Sequence, residues 1–296
     1  MAIFDDSPKA RAAALAAPPF LYALLLLALP LVAIVVISFW SQSGLDLDRT
    51  LTTANYREAL ESPIYIRGNE NRWGVLPVSL FVSATVTLIT VCLAYPVAYF
   101  VSFVVSPARK SLWLFLITIP FWTSYLIRVF LWKVILGFNG VVNTALVSLG
   151  ILSEPSEALL YNLSSVIISL SHAYVVFAIL PIFVSLEKID RSLIEASQDL
   201  GENRLTTFLR VTLPLSVPGI VGAVLIVFIP VTGDYVTPEL MLGAGGRLMS
   251  NVIQSQFLGL NNWPLGAALA IVMMVAVALC ALVFVALNRR WLRGRA

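Results

Sequence analysis

The chain has 296 residues, 59% of them hydrophobic and only 12% charged, with a mean hydropathy of +0.91 and a net charge of +3. A soluble globular domain carries about 25% charged residues, so this composition excludes one and indicates an all-α polytopic membrane protein. Cys92 and Cys280 both lie inside apolar runs and read as packing residues, and the single histidine excludes a His-based metal cluster made by this chain alone.

In chain order, residues 1–17 form a short, weakly charged N-terminal segment. The apolar run 18–40 can cross a hydrocarbon core, which takes about 20 helical residues. It is too long for a signal-peptide core and no small-x-small cleavage site follows it, so a retained first span is expected. Residues 41–74 are polar, an extramembrane loop with a short helix expected at 55–60. A second span is expected over 75–105, interrupted by Pro96, and a short basic turn follows at 106–111. The third span, 112–136, holds Pro120, Arg128 and Lys133. A weakly amphipathic piece and a polar loop fill 137–162, and the fourth span covers 163–186. The fifth and sixth spans are expected at 215–235 and 263–287, separated by a Gly- and Pro-interrupted segment over 237–262.

Twelve lysines and arginines fall on one side of this topology and five on the other. The positive-inside rule then places both termini and the stretch 187–214 in the cytoplasm. The expected division is a cytoplasmic N-terminal segment (1–17), a six-helix transmembrane domain (18–287) and a basic cytoplasmic tail (288–296). No G-x-x-x-x-G-K-[ST] sequence is present, so the chain has no P-loop to hold ATP. Any ATP hydrolysis linked to it belongs to another subunit.

The stretch 187–214 reads EKIDRSLIEASQDLGENRLTTFLRVTLP and holds nine charged residues. Each would cost about 2.5–3.5 kcal/mol inside hydrocarbon, so the stretch lies outside the bilayer. Ile189, Leu193, Ala196 and Leu200 recur at helical spacing as one apolar stripe. Gly201 stops that helix by taking the left-handed conformation, and a second helix carries Leu205, Phe208, Leu209 and Leu213 towards Pro214. Such a helix–turn–helix suits docking into a groove on a soluble partner.

Glu195-Ala196-Ser197, then Gly201 four positions on, then Val211-Thr212-Leu213-Pro214, resemble the EAA loop of bacterial ABC-importer permeases, with Ser197 for Ala and Val211 for Ile. The resemblance implies a non-catalytic membrane subunit with the type I ABC-importer permease fold. Its coupling helix would be shaped by Glu195, Ala196, Ser197 and Gly201, and joined to the fifth span by Leu213 and Pro214. It further implies a cytoplasmic ATPase dimer that carries ATP and Mg, a second similar but distinct permease chain, and an external solute-binding protein. No cofactor, metal or nucleic acid is implied for this chain itself.

Ionisable residues inside a span are costly and are functional candidates by default. Arg128, Lys133, Asp234 and Glu239 qualify. At 1.5 Å per residue, Arg128 and Asp234 lie roughly 24 and 28 Å from the cytoplasmic ends of their spans, which permits an ion pair or a shared polar cavity. Lys133 can snorkel to the outer interface. The segment IPVTGDYVTPE, 229–239, breaks the helix, and irregular backbone at membrane depth survives only when buried in protein or lining water. Its acids beside Tyr235 suit a cationic solute, although the outer end of a span turning into a loop reads the same way. His172 is either a packing residue or a proton-sensitive group.

This segment, with 120–128 (including Trp122 and Tyr125), Trp132-Lys133 and 140–146, resembles the permeases of spermidine and putrescine importers. Permeases for iron, phosphonates and opines share much of the pattern. The resemblance implies an inner-membrane path for a small cationic solute, lined by Asp234, Tyr235, Glu239, Arg128, Trp122 and Tyr125. A reading from another class is an ion-coupled secondary transporter working alone through Asp234, Glu239 or His172.

Overall fold

The computed structural model describes residues 8–44, 46–67, 73–243 and 246–293. Six helical stretches among them are long and apolar enough to cross a membrane: Leu15–Ser38, Val75–Val104, Tyr125–Ser148, Leu163–Glu187, Arg204–Gly233 and Trp263–Leu287. The chain forms two compact units, Met1–Ser62 with Ile253–Met274, and Pro63–Val252 with Val275–Ala296. Residues 1–7 of the expected N-terminal segment, Arg72, and Arg295 of the expected tail lie outside the described residues.

In the first unit, α1 (Pro8–Ser38) is a long apolar helix, and its spanning window has no buried residue. A two-stranded antiparallel ribbon follows, β1 (Ser41–Ser43) with β2 (Asp46–Asp48), then α2 (Ala54–Glu61) in place of the short helix expected at 55–60. The Asn55 side chain donates to the carbonyls of Ser38 at 2.9 Å and Trp40 at 2.7 Å, satisfying groups that the end of α1 leaves open. Gln42 clasps the start of the last span: its Nε2 donates to the Asn261 carbonyl, and its Oε1 accepts from the Trp263 N–H at 3.1 Å.

The second unit is built on α3 (Val75–Tyr99), α7 (Leu163–Glu187) and α10 (Leu213–Gly233), each packed on the other two. Val82, Val86, Leu170, Ile182, Ala223 and Val227 form its dry centre. Small residues let the backbones approach, as membrane helices require when lipid is as apolar as the side chains. At Gly219 of α10 an added Cβ would stand 2.4 Å from Ser185 Cβ and 2.6 Å from the Pro181 carbonyl oxygen of α7. Ser79, Ser83 and Thr87 of α3 each return a hydroxyl to the carbonyl four residues back, at 2.7–2.8 Å, which keeps polar atoms satisfied without water.

Pro96 does not interrupt α3; the helix passes through it and widens into a π-helical turn, Phe100–Val104. The third span departs further from expectation: the spanning stretch is Tyr125–Ser148, and the expected 112–136 is split between α4 (Pro107–Thr118) and α5 (Tyr125–Leu136) by a 3-10 turn over Ile119–Trp122 and the non-helical Thr123 and Ser124. Pro120 lacks an N–H and its ring clashes with the preceding turn, so the α-helix ends here. The first turn of α4 also takes up most of the basic stretch 106–111. After α5 come α6 (Val141–Ser148), the coupling region α8 (Arg191–Asp199) and α9 (Arg204–Thr207), then α11 (Val236–Met241), α12 (Met249–Gln254), α13 (Trp263–Leu287) and α14 (Arg289–Arg293).

Replacing Gly219 by Ala should overpack the α7–α10 crossing and cost about 1–3 kcal/mol. The thermal unfolding midpoint of the detergent-solubilised protein is expected to fall; an unchanged midpoint would show that the crossing relaxes freely.

Candidate functional site

The first candidate region is the polar hairpin. Asp190 caps α8, accepting from the Ser192 N–H at 3.0 Å, and this bond holds the Asp190 carboxyl below its usual range. A carboxyl depressed on folding stabilises above its unfolded value, near about 3.9, and loses that contribution as pH falls further, so the cap is intact at neutral pH. Gly201 then has φ +87°, and the exit is a Schellman turn. The Gly201 N–H donates to the Gln198 carbonyl at 2.9 Å and the Glu202 N–H to the Ser197 carbonyl at 3.2 Å. Asn203 caps α9 by accepting from the Thr206 N–H at 2.9 Å, and Ser197 Oγ lies 3.1 Å from Thr207 Oγ1, tying the two helices together.

The apolar stripe on this hairpin does not fold inward as one face. Ile189 is buried, but the cap at Asp190 interrupts the helix after it, so Ile189 is out of phase with α8. Ile194 packs against the core instead. Leu193, Leu200 and Leu205 remain 48%, 86% and 68% exposed, beside the exposed Glu195 and Ala196. Exposed apolar side chains clustered on a polar hairpin mark a contact surface.

From α9 the chain continues without interruption through a π-helical turn, Phe208–Thr212, into α10, with Pro214 in the first turn, where its missing N–H costs nothing. Leu213 and Pro214 therefore sit at a continuous join. The base of α8 is tied to neighbouring helix ends. Glu187 accepts from Lys110 Nζ at 2.5 Å and Ser102 Oγ at 2.6 Å, and Arg191 donates to the Ser102 carbonyl at 3.2 Å. Ser102, Lys110 and Arg191 were not singled out by sequence; opposite charges closing two neighbouring apolar runs were the available signal.

The second region lies at the far end of α10. The helix stops at Gly233, and Asp234 is extended, with ψ 118°. Asp234 is 9% exposed, and its carboxylate accepts four bonds. These come from the Tyr125 hydroxyl, Thr237 Oγ1 at 2.8 Å, and the N–H groups of Val236 at 2.9 Å and Thr237 at 3.3 Å. The Tyr125 and Thr237 hydroxyls are 2.6 Å apart. Ser250 donates to the Asp234 carbonyl at 2.7 Å, and Asn251 Nδ2 donates to the Tyr235 carbonyl at 2.8 Å and to Glu239 Oε2 at 3.1 Å. Ser250 and Asn251 are neighbours of the break that the sequence did not reveal, because α12 turns back on it.

Among the described residues no ion pair joins Arg128 to Asp234. Tyr125 stands between them: its hydroxyl faces the acid while the Arg128 guanidinium lies 5.9 Å from its ring centroid and 5.3 Å from that of Phe121. Arg128 is 9% exposed and its Nε has no partner. Equal depth along two helices did place the charges in one region, but the ring intervenes. Tyr235 and Glu239 are exposed, so they are the accessible groups at this break; Trp122 is also exposed, but its ring meets Phe115 at 5.5 Å. Lys133 Nζ lies 5.7 Å over the Tyr161 ring, and His172 meets the Trp132 ring at 5.5 Å, a packing contact. No group of three or more metal-ligating side chains occurs among the described residues.

Residues 13–294 match the family of binding-protein-dependent transport system inner membrane components. The spermidine/putrescine transport system permease protein PotB of Haemophilus influenzae is 37% identical over 88% of this chain and 88% of its own. PotB of Escherichia coli is 35% identical over 86% of this chain and 90% of its own. A chain from the crystal structure of a bacterial alginate ABC transporter, in complex with its alginate pentasaccharide-bound periplasmic protein, superposes with a TM-score of 0.69 over 94% of each chain. At 19% identity that likeness concerns the fold alone.

Tyr125→Phe should remove one donor from the buried carboxylate and cost about 1–3 kcal/mol. Thr237→Val should cost a similar amount, and the double variant should depart from additivity because both hydroxyls serve one acceptor. Thermal unfolding of the three variants in detergent checks this; strict additivity would show that Asp234 does not link them.

Proposed function

The chain belongs to the family of binding-protein-dependent transport system inner membrane components, and we propose that it conducts a spermidine- or putrescine-class polyamine. It is a non-catalytic, multi-pass permease subunit of an ABC importer in the inner membrane. The observation that carries the polyamine reading is the pair of acids at the helix break, Asp234 and Glu239, flanked by Tyr235 and Tyr125, in a chain whose relatives named for spermidine and putrescine are 35–37% identical over most of its length. The two acids have different tasks. Asp234 already holds four donors and fixes the break while contributing negative potential. Glu239 is exposed and can accept an ammonium group, with the adjacent Tyr235 ring supplying cation–π attraction.

The energy for transport comes from partners. An ATPase dimer binds ATP and Mg, and this chain binds neither. The surface formed by Glu195, Ala196, Leu193, Leu200 and Leu205 seats in a cleft of one ATPase, with both termini of this chain on the same cytoplasmic side. A second, similar permease completes the path, and an external binding protein delivers the solute. Closure of the ATPase dimer moves the hairpin, and the continuous helix Arg204–Gly233, about 45 Å long at 1.5 Å per residue, carries that movement to Asp234.

Glu239→Gln should raise the apparent KM for spermidine uptake by about tenfold, the loss of one charge-assisted bond. Asp234→Asn should lower uptake more than assembly. Radiolabelled uptake in cells lacking other polyamine importers reads both, and uptake that follows the proton gradient instead of ATP would favour a secondary transporter. Glu195→Arg should abolish co-purification of the ATPase from detergent, and Gly201→Asp should weaken it through about 1–2 kcal/mol of left-handed strain. A wild-type chain that purifies without any ATPase overturns the importer mechanism.

A further inference from the structure

Arg128 carries a full charge, since a guanidinium is not deprotonated in a protein, yet it is only 9% exposed. A charge is tolerated out of water when hydrogen bonds and an opposite charge replace its hydration. Here the bonds are few. Nη1 lies 3.5 Å from the Ala173 carbonyl oxygen of α7, at the limit of a hydrogen bond, and Nε has no partner. No salt bridge to Arg128 occurs among the described residues. Two ring faces lie against the guanidinium instead, Phe121 at 5.3 Å and Tyr125 at 5.9 Å. Both rings are pinned from α7, Phe121 against Phe177 at 4.6 Å and Tyr125 against Tyr174 at 6.3 Å.

Asp234 has the complementary imbalance. Four donors fill its carboxylate, but all four are neutral, so its hydrogen bonds are satisfied while its charge meets no opposite charge. The Tyr125 ring stands between the two residues, giving its hydroxyl to the acid and its face to the guanidinium. Unit charges roughly 10 Å apart, at an effective dielectric constant of about 20, change each other's equilibria by about tenfold. The two charges therefore act on each other strongly without touching.

We propose that Arg128 is the counter-charge of Asp234, held off by the Tyr125 ring, and that it limits how tightly the helix break holds a cation. Direct contact would cancel the acid and leave little field for a solute. An acid with no counter-charge would hold an ammonium group too firmly, and transport needs binding weak enough to end. The intervening ring sets a field between these extremes. Arg128 thus tunes solute affinity from a buried position. The attraction between the charges follows from their positions; its effect on a solute rests on the polyamine reading.

Two measurements test this. In the first, the complete importer carrying Arg128→Met, Asp234→Asn or both is unfolded thermally in detergent. Each single change leaves one charge unmatched, so the double variant should lower the midpoint by less than the two single shifts together. Strict additivity overturns the proposal, whatever the solute. The second measures radiolabelled spermidine bound to the permease–ATPase complex without its binding protein, and maximal ATP-driven uptake by the complete importer in proteoliposomes. Arg128→Met should lower the Kd about tenfold and slow maximal uptake. Arg128→Gln, neutral but able to bond the Ala173 carbonyl, should act in the same direction, and Arg128→Lys should return both values towards wild type. A purely structural arginine predicts slower uptake with no gain in affinity, and that result overturns the proposal. Wild type that neither binds nor takes up spermidine would defeat the polyamine reading instead, and the unfolding cycle still decides whether the two charges are coupled.

Discussion

At Gly219 the backbone of α10 lies so near Pro181 and Ser185 of α7 that no Cβ fits between them. That crossing fixes the course of α10, and α10 has one functional region at each end. Below the crossing, the helix continues through the π-helical turn into the exposed hairpin. Above it, the helix stops at Gly233, where Asp234 gathers Tyr125 from α5 and Thr237 from α11. A looser crossing would let either end move without the other. The tight one makes hairpin and acid two ends of a single rod.

The two ends are stiffened differently. The hairpin is held by backbone conformation and caps: Asp190, Asn203, and the left-handed Gly201. Leu193, Leu200 and Leu205 are left to face outward. At the acid end the order is reversed, because the backbone is irregular and side chains hold it. There Asp234, Tyr125, Thr237, Ser250 and Asn251 supply bonds that a regular helix would make for itself. Such a network is sensitive to each member, since a buried polar group left unpaired is costly.

What was legible in the sequence divides along the same line. Gly201 could be read as a helix stop because a left-handed exit favours glycine, and its spacing from Glu195 and Pro214 needed no tertiary information. The span count followed from apolar length. The break at Pro120 was not legible, since a proline inside a span can bend a helix, be absorbed, or end it, and Pro96 and Pro120 take different outcomes. Depth along a helix brought Arg128 and Asp234 to one level but carried no azimuth, so the Tyr125 ring between them was invisible. The displaced stripe had a local cause: the cap at Asp190 resets the helical phase after Ile189, which moves Ile194 onto the core.

The Gln42 clasp has a bearing on how the chain is made. It joins the loop after α1 to Trp263, 221 residues later. A ribosome releases Gln42 long before the residue it grips, so the first unit cannot close during most of translation. Its opening helix, whose spanning part stays uncovered by its own chain even in the folded structure, gains this tie only at the end. Closure is therefore a late event in biogenesis, and the arrival of the sixth span is what completes it.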